Sequence, residues 1–117
     1  MPTVLLVDDE ESIRAFYAEV LTEAGYEVIT AGTCRQALKL MNAETPSAVI
    51  LDIQMDDCDG LDLLQEMRLA HPNVPIILNT AYDSYRGDLK AIAADEYVLK
   101  SHDLSELMTK LTEVVEE

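Results

Sequence analysis

At 117 residues the chain can bury one core and is too short for two domains, and with 49% apolar residues that core needs no staples. Asp and Glu number 23 against 8 Lys and Arg, a formal net charge of −15, which repels phosphate backbones and anionic membranes and so argues against nucleic-acid or lipid binding by this domain. No basic-then-apolar leader and no run of membrane-span length is present, and two cysteines make no disulfide framework, so a cytoplasmic protein is expected.

Thr3 to Val7 is a short apolar run, the first expected strand. Ile13, Phe16, Tyr17, Val20, Leu21 and Ala24 then form one helical stripe, and Gly25 suits the position just past a helix end. Glu27 to Ala31 is a second strand, followed by a shorter helical stripe of Ala37, Leu38 and Met41 that starts near Cys34. Ala48 to Leu51 is a third strand. Leu63, Leu64 and Met67 mark a third helix, ended by His71-Pro72. Val74 to Leu78 is the fourth strand. Between Asp83 and Ala94 the helical signal is weakest, because Gly87 interrupts the pattern of Leu89, Ile92 and Ala93. Tyr97 to Leu99 is the shortest strand. Leu104, Leu107, Met108, Leu111, Val114 and Val115 give a last helix, which Asp103 or Ser101 can cap.

Five strands alternating with five helices predict a single α/β domain over residues 1–117, a parallel sheet covered on both faces. Right-handed crossovers leave few windings, and the common order for five strands is 2-1-3-4-5. Strands 1 and 3 are then neighbours at a switch point, and ligands bind at the carboxyl ends of strands there.

Strand 1 leads into Asp8-Asp9-Glu10-Glu11, strand 3 into Asp52, strand 4 into Asn79-Thr80 and strand 5 into Lys100. Capping alone would explain acids in a first helical turn. Clustered carboxylates at a sheet edge, however, repel one another unless a cation joins them, and Mg²⁺ takes oxygen ligands of this kind. No Gly-rich phosphate loop follows strand 1, so the site should attract a metal rather than a bare phosphate. Asp52 reads as a loop cap or as a carboxylate nucleophile towards phosphorus. Thr80 offers a hydroxyl, and Lys100 an ammonium partner for the three aspartates.

The spacing of Asp8-Asp9, Asp52, Thr80-Ala81 and Lys100 resembles the response-regulator receiver domains of two-component signalling. LLVDDEESIR at the start, Asp52-Ile53-Gln54-Met55 with Asp59-Gly60 after it, and the run from Ala94 to Lys100 extend the resemblance over essentially the whole chain. It implies a flavodoxin-like fold and an Asp52 that accepts a phosphoryl group from a sensor histidine kinase, a phosphotransfer protein or a small phosphodonor. It implies Mg²⁺ held by Asp8, Asp9, Asp52 and the backbone carbonyl of Gln54. By the same resemblance Thr80, Ala81 and Lys100 meet the phosphoryl oxygens, and Tyr97 is the aromatic that turns inward when Thr80 moves. Gln54 and Tyr82 occupy positions that tune the lifetime of the phosphoryl group. Such a domain is not an enzyme on other substrates, since it catalyses only its own phosphorylation and hydrolysis. Its output is a changed face of helix 4, strand 5 and helix 5, read by a downstream protein or an effector domain outside this chain, or used for pairing two copies.

Two departures stand out. Met55-Asp56 replaces the family's usual Met-Pro, and with Asp57 and Asp59 it adds acid to the loop after Asp52. Lys100-Ser101 replaces the usual Lys-Pro, often cis, so the bond is either trans here or strained. Cys34 and Cys58 read as small semi-buried side chains without metal-ligand company. The alternative function is a degenerate receiver, a binding module that is never phosphorylated; the intact set of Asp8, Asp9, Asp52, Thr80 and Lys100 argues against it. An aspartate-nucleophile phosphatase would need an acid where Gln54 stands.

Overall fold

In the computed structural model, which describes residues 1–81, 93–101 and 103–116, the apolar runs pair into one sheet. Its strands are β1 (Thr3–Val7), β2 (Glu27–Ala31), β3 (Ala48–Leu51), β4 (Ile76–Thr80) and β5 (Glu96–Leu99). They are all parallel and lie in the order β2-β1-β3-β4-β5, as the alternating pattern predicts. Four helices occur among the described residues: α1 (Glu11–Glu23), α2 (Cys34–Glu44), α3 (Gly60–Ala70) and α4 (Ser105–Glu116). The helix expected between Asp83 and Ala94 falls almost entirely outside the described residues, as do Tyr82 and much of the expected pairing face.

Both faces of the sheet are buried, which is why its strands read as continuous apolar runs. Successive side chains alternate across the sheet. Leu5 and Val7 of β1 therefore join Met41 of α2 and Leu64 and Met67 of α3 in one cluster. Val4 and Leu6 join Tyr17 and Leu21 of α1 and Leu107 and Leu111 of α4 in the other.

Local chemistry sets the helix ends. The Thr33 side chain accepts a hydrogen bond from Gln36 N–H at the start of α2, and Asp59 accepts one from Leu61 N–H at the start of α3. Gly25 has φ of +100°, the left-handed conformation that a glycine adopts cheaply past the end of α1. Ahead of α4, Asp103 accepts from Ser105 N–H at 2.9 Å, whereas Ser101 Oγ accepts from Asp103 N–H at 3.1 Å, outside the helix, so of the two expected caps Asp103 bonds the helix start.

Strand β4 lies two residues later than the apolar run Val74 to Leu78 suggests. Pro75 has no N–H to give to a ladder. Its carbonyl accepts from Val49 N–H at 2.9 Å, and the strand proper runs from Ile76 through the polar pair Asn79-Thr80, both buried. At the amino ends of β4 and β5, the Arg68 guanidinium of α3 donates to the carbonyls of Pro72, Val74 and Ala93 and pairs with Asp95 at 2.6 Å. The same Asp95 oxygen accepts from Ile76 N–H at 2.7 Å, which ties the starts of β4 and β5 to α3.

One expectation is corrected. Cys34, the first residue of α2, and Cys58, in the β3–α3 loop, are joined by a disulfide with their Cα atoms 6.2 Å apart. They are 24 residues apart in the chain and meet because α2 and the β3–α3 loop share one face of the sheet.

Candidate functional site

Register places the acids. Val7 pairs with Leu51, so the next residues, Asp8 and Asp52, leave neighbouring strands side by side. Their N–H groups continue the ladder, Asp52 N–H donating to Val7 O at 3.0 Å and Asp8 N–H to Ala31 O at 3.1 Å. Thr80 pairs with Leu99, and Lys100 N–H donates to Thr80 O at 2.7 Å, which sets Lys100 at the end of the adjoining strand.

Asp8 is 2% and Asp52 4% exposed, a burial that carboxylates tolerate only with partners. Lys100 supplies one for both. Its Nζ lies 2.7 Å from Asp8 Oδ2 and 3.0 Å from Asp52 Oδ2. The other oxygens accept backbone N–H groups, Asp8 Oδ1 from Glu10 at 2.9 Å and Asp52 Oδ1 from Gln54 at 3.2 Å. The peptide bonds of the described residues are all trans, Lys100–Ser101 included, and the lysine still reaches both acids.

These groups border an open cleft of about 290 Å³ lined by Asp9, Glu10, Asp52, Gln54, Asp56, Ala81 and Lys100. Four carboxylates face it, and Lys100 is its one cation among the described residues. Burial raises the Asp9 carboxyl above its ordinary value, and the charges of Asp56 and Asp8 raise it further. Burial likewise pushes Asp52 up; Lys100 pulls the other way through its charge and hydrogen bond, and Asp8 adds to the rise. For Lys100 burial disfavours the charge, but the bonds to Asp8 and Asp52 outweigh it, so the ammonium is held above its usual range. Among the described residues the site is thus short of positive charge. Asp8, Asp9 and Glu10 place carboxylate oxygens within 4.8 Å of one another, a hard-oxygen set that fits Mg²⁺ better than a soft metal.

The expected residues Asp8, Asp9, Asp52, Gln54, Ala81 and Lys100 therefore converge on one point. Thr80 is fully buried beneath it at the end of β4. Tyr97 is half-buried and packs against the cluster on the α2–α3 side. Tyr82 lies outside the described residues. Three supports were not foreseen. Arg14 of α1 donates from Nη1 to the Asp8 carbonyl at 2.7 Å, and a Cβ at Gly32 would stand 2.8 Å from that nitrogen. Asn79 Nδ2 donates to Tyr17 Oη at 3.2 Å, which ties the end of β4 to α1. Gly60 packs so closely that a Cβ there would meet the Asp52 and Ile53 carbonyl oxygens at 2.7 and 2.5 Å. A second group of metal-ligating types, Cys34, Asp57 and Cys58, lies beside the loop, with its two sulfurs bonded to each other.

Comparison with known proteins agrees with this geometry. The family described as the response regulator receiver domain matches residues 4–112. A probable transcriptional regulator, ycf27, of Porphyra purpurea is 40% identical over 114 residues, covering 96% of this chain and 46% of that protein. The regulatory protein AtoC of Escherichia coli is 37% identical, over 89% of this chain and 23% of its own length. The chain thus spans about half the length of ycf27 and a smaller part of AtoC. Among solved structures, the response regulator TrrA of Thermotoga maritima in complex with Mg²⁺–BeF superposes with a TM-score of 0.95 and 44% identity, covering 97% of this chain and 99% of that one. TrrA in complex with the histidine kinase ThkA gives a TM-score of 0.92 at 43% identity, over 97% and 98% of the two chains.

Proposed function

The chain belongs to the response regulator receiver domain family of two-component phosphorelay signalling, and on that premise we propose that Asp52 is its phosphoacceptor. The observation that carries the assignment is the Asp52 carboxylate itself. It is buried, held by Lys100 on one oxygen and by Gln54 N–H on the other, at the rim of an acidic cleft open to a donor.

In the proposed step an Asp52 oxygen forms a bond to phosphorus as the bond from phosphorus to the donor breaks, a nitrogen of phosphohistidine in a kinase or an oxygen in a small phosphodonor. The leaving group departs with the electron pair and takes a proton from solvent. The transition state is loose, so catalysis is mostly positioning and charge neutralisation. Lys100 stays within reach of the transferred oxygens once Asp52 is phosphorylated, because Asp8 anchors the same ammonium. Asp8, Asp9, Asp52 and the Gln54 carbonyl would hold Mg²⁺, which when bound supplies the positive charge this cleft lacks. Its presence beside BeF in the TrrA complex supports that reading. Ala81 N–H and the Thr80 hydroxyl are assigned to the remaining phosphoryl oxygens.

The phosphoryl group carries about 1.5 to 2 negative charges, where the free carboxylate carried one, and brings strong acceptor oxygens. Thr80 is drawn towards them and Tyr97 follows into the space it leaves, which changes the face that β5 and α4 present. Gln54 and Tyr82 set how long the phosphoryl group survives. The domain acts on no other substrate, works in the cytoplasm, and takes its phosphoryl group from a histidine kinase or phosphotransfer protein, as the ThkA complex of TrrA suggests. Its target is a partner protein, an effector domain beyond this chain, or a second copy.

Intact-protein mass after incubation with Mg²⁺ and a small phosphodonor tests the assignment. One phosphoryl adduct is expected in wild type, and none without Mg²⁺ or in Asp52→Asn. No adduct in wild type that binds Mg²⁺ would leave a degenerate binding module instead.

A further inference from the structure

The loop from Asp52 to Gly60 carries three of the residues that define the cleft. Its two ends are pinned, by Gln54 N–H on Asp52 Oδ1 at 3.2 Å and by Gly60 N–H on Ile53 O at 3.0 Å. Two ties hold its middle to α2. The Asp57 carboxylate accepts Cys34 N–H at 2.9 and 3.0 Å, and Cys58 is bonded to Cys34. Asp56, the residue before these anchors, lines the cleft beside Asp9. The cross-link thus sits four to six residues beyond the two positions, Asp52 and Gln54, that border the phosphoryl site.

The two sulfurs are not equally open. Cys34 is 6% exposed, at the floor of the α2–α3 cluster. Cys58 is half-buried and borders two surface clefts, one of about 200 Å³ that Cys34 also lines and one of about 270 Å³ shared with Ile53 and Asp59 that Cys34 does not reach. A thiolate can therefore approach the Cys58 sulfur, with Cys34 as the leaving group. Cys34 is the first residue of an 11-residue helix, where peptide dipoles favour a departing thiolate. The Asp57 carboxylate on the same N–H opposes it.

We infer that Cys34–Cys58 is a reversible redox modification site, opened by a dithiol reductant and closed by a small-molecule disulfide, that orders or releases the loop bearing Asp52's neighbours. One thiolate of the dithiol attacks Cys58 Sγ, forming a mixed disulfide as the bond to Cys34 breaks. The second thiolate of the reductant then displaces the Cys58 thiolate and closes its own disulfide. Two electrons pass to the protein, and both cysteines take up a proton from solvent. In the reverse direction the Cys58 thiolate attacks a small-molecule disulfide and releases one thiol; the Cys34 thiolate then displaces the second thiol from the mixed disulfide and restores the Cys34–Cys58 bond, so two electrons pass to the small-molecule disulfide. With the bond open, Asp57 alone of the two ties remains, and the loop positions Gln54 and Asp56 less well. The consequence for Mg²⁺ rests on the metal reading given above.

The test uses the full chain, oxidised with a small-molecule disulfide or reduced with a dithiol, beside Cys34→Ser/Cys58→Ser. Thiol labelling read by mass should give no labels in the oxidised protein, two after the dithiol, and none again after reoxidation. Amides of residues 53–59 should exchange about tenfold faster when reduced. Mg²⁺ affinity, measured by calorimetry, should fall by up to about tenfold on reduction, the scale seen when groups supporting metal ligands are lost. The double variant should match the reduced protein whatever the buffer. Two labels before any reductant, or a bond that the dithiol cannot open in the folded protein, overturns the site. Equal exchange rates and equal Mg²⁺ affinities in the two forms overturn its coupling to the loop. Should neither form bind Mg²⁺, the metal reading fails, and the exchange rates decide the tether by themselves.

Discussion

Lys100→Met keeps the length of the side chain and removes its charge from between two buried acids. Breaking a buried ion pair by removing one partner costs about 3–5 kcal/mol. The Lys100 side chain keeps 16% of its surface in contact with water, so the lower end applies, about 3 kcal/mol. Simple electrostatics gives a similar figure. The two Oδ2 atoms touch one nitrogen and so lie within about 6 Å of each other, which at an effective dielectric of about 20 is a repulsion of about 3 kcal/mol. Lys100 has its pKa raised above 10.5, so its contribution is complete throughout the neutral range and is lost only as pH climbs through that raised value. Urea unfolding at about pH 7 with a chelator measures the deficit against wild type. Added Mg²⁺ should recover more stability in the variant than in wild type at the same concentration, about 2.7 kcal/mol in the variant at a hundredfold excess over its own Kd, because the acids have then lost their lysine. A loss under about 0.5 kcal/mol, the scale of an ordinary surface substitution, would mean that the lysine is solvated and bridges nothing. Equal gains from Mg²⁺ in both proteins would mean that metal and lysine do not answer the same charge.

Gly60→Ala should cost about 1–3 kcal/mol in urea unfolding, because its Cβ meets backbone atoms of Asp52 and Ile53 that cannot turn aside. The same variant should accept phosphoryl groups more slowly, and a wild-type rate would show that the loop shifts without disturbing Asp52. Mg²⁺ affinity should decline as pH is lowered from about 7 to 5, starting above the ordinary carboxylate range, since burial raises both Asp52 and Asp9 and a proton competes with the metal there. For Asp52 the sign is that of a raised acid: its contribution to metal-free stability is full below 3.8 and is lost as pH rises through its folded value, so the ionised group at neutral pH stands to gain from a cation. Affinity that is flat over this range in calorimetry would remove Asp52 and Asp9 from the ligand set.

The alternation of apolar runs with helical stripes was enough to predict the strand order, because parallel strands joined by right-handed crossovers admit few windings. From that order the placement of Asp8, Asp52, Thr80 and Lys100 at adjoining strand ends followed, and the register bears it out. Strand ends were less legible. β4 begins only after Pro75 and keeps the polar Asn79 and Thr80, since ladder hydrogen bonding and not hydropathy decides where a strand stops. The cross-element contacts had no signal along the chain. Arg14 reaching the Asp8 carbonyl, Arg68 gathering three carbonyls, and Cys34 meeting Cys58 each join residues whose separation in sequence says nothing of their distance. Those meetings depend on how far each helix is rotated against the sheet and where a loop turns back. Packing of the two buried faces sets both, and a periodicity of side chains records only which face is buried.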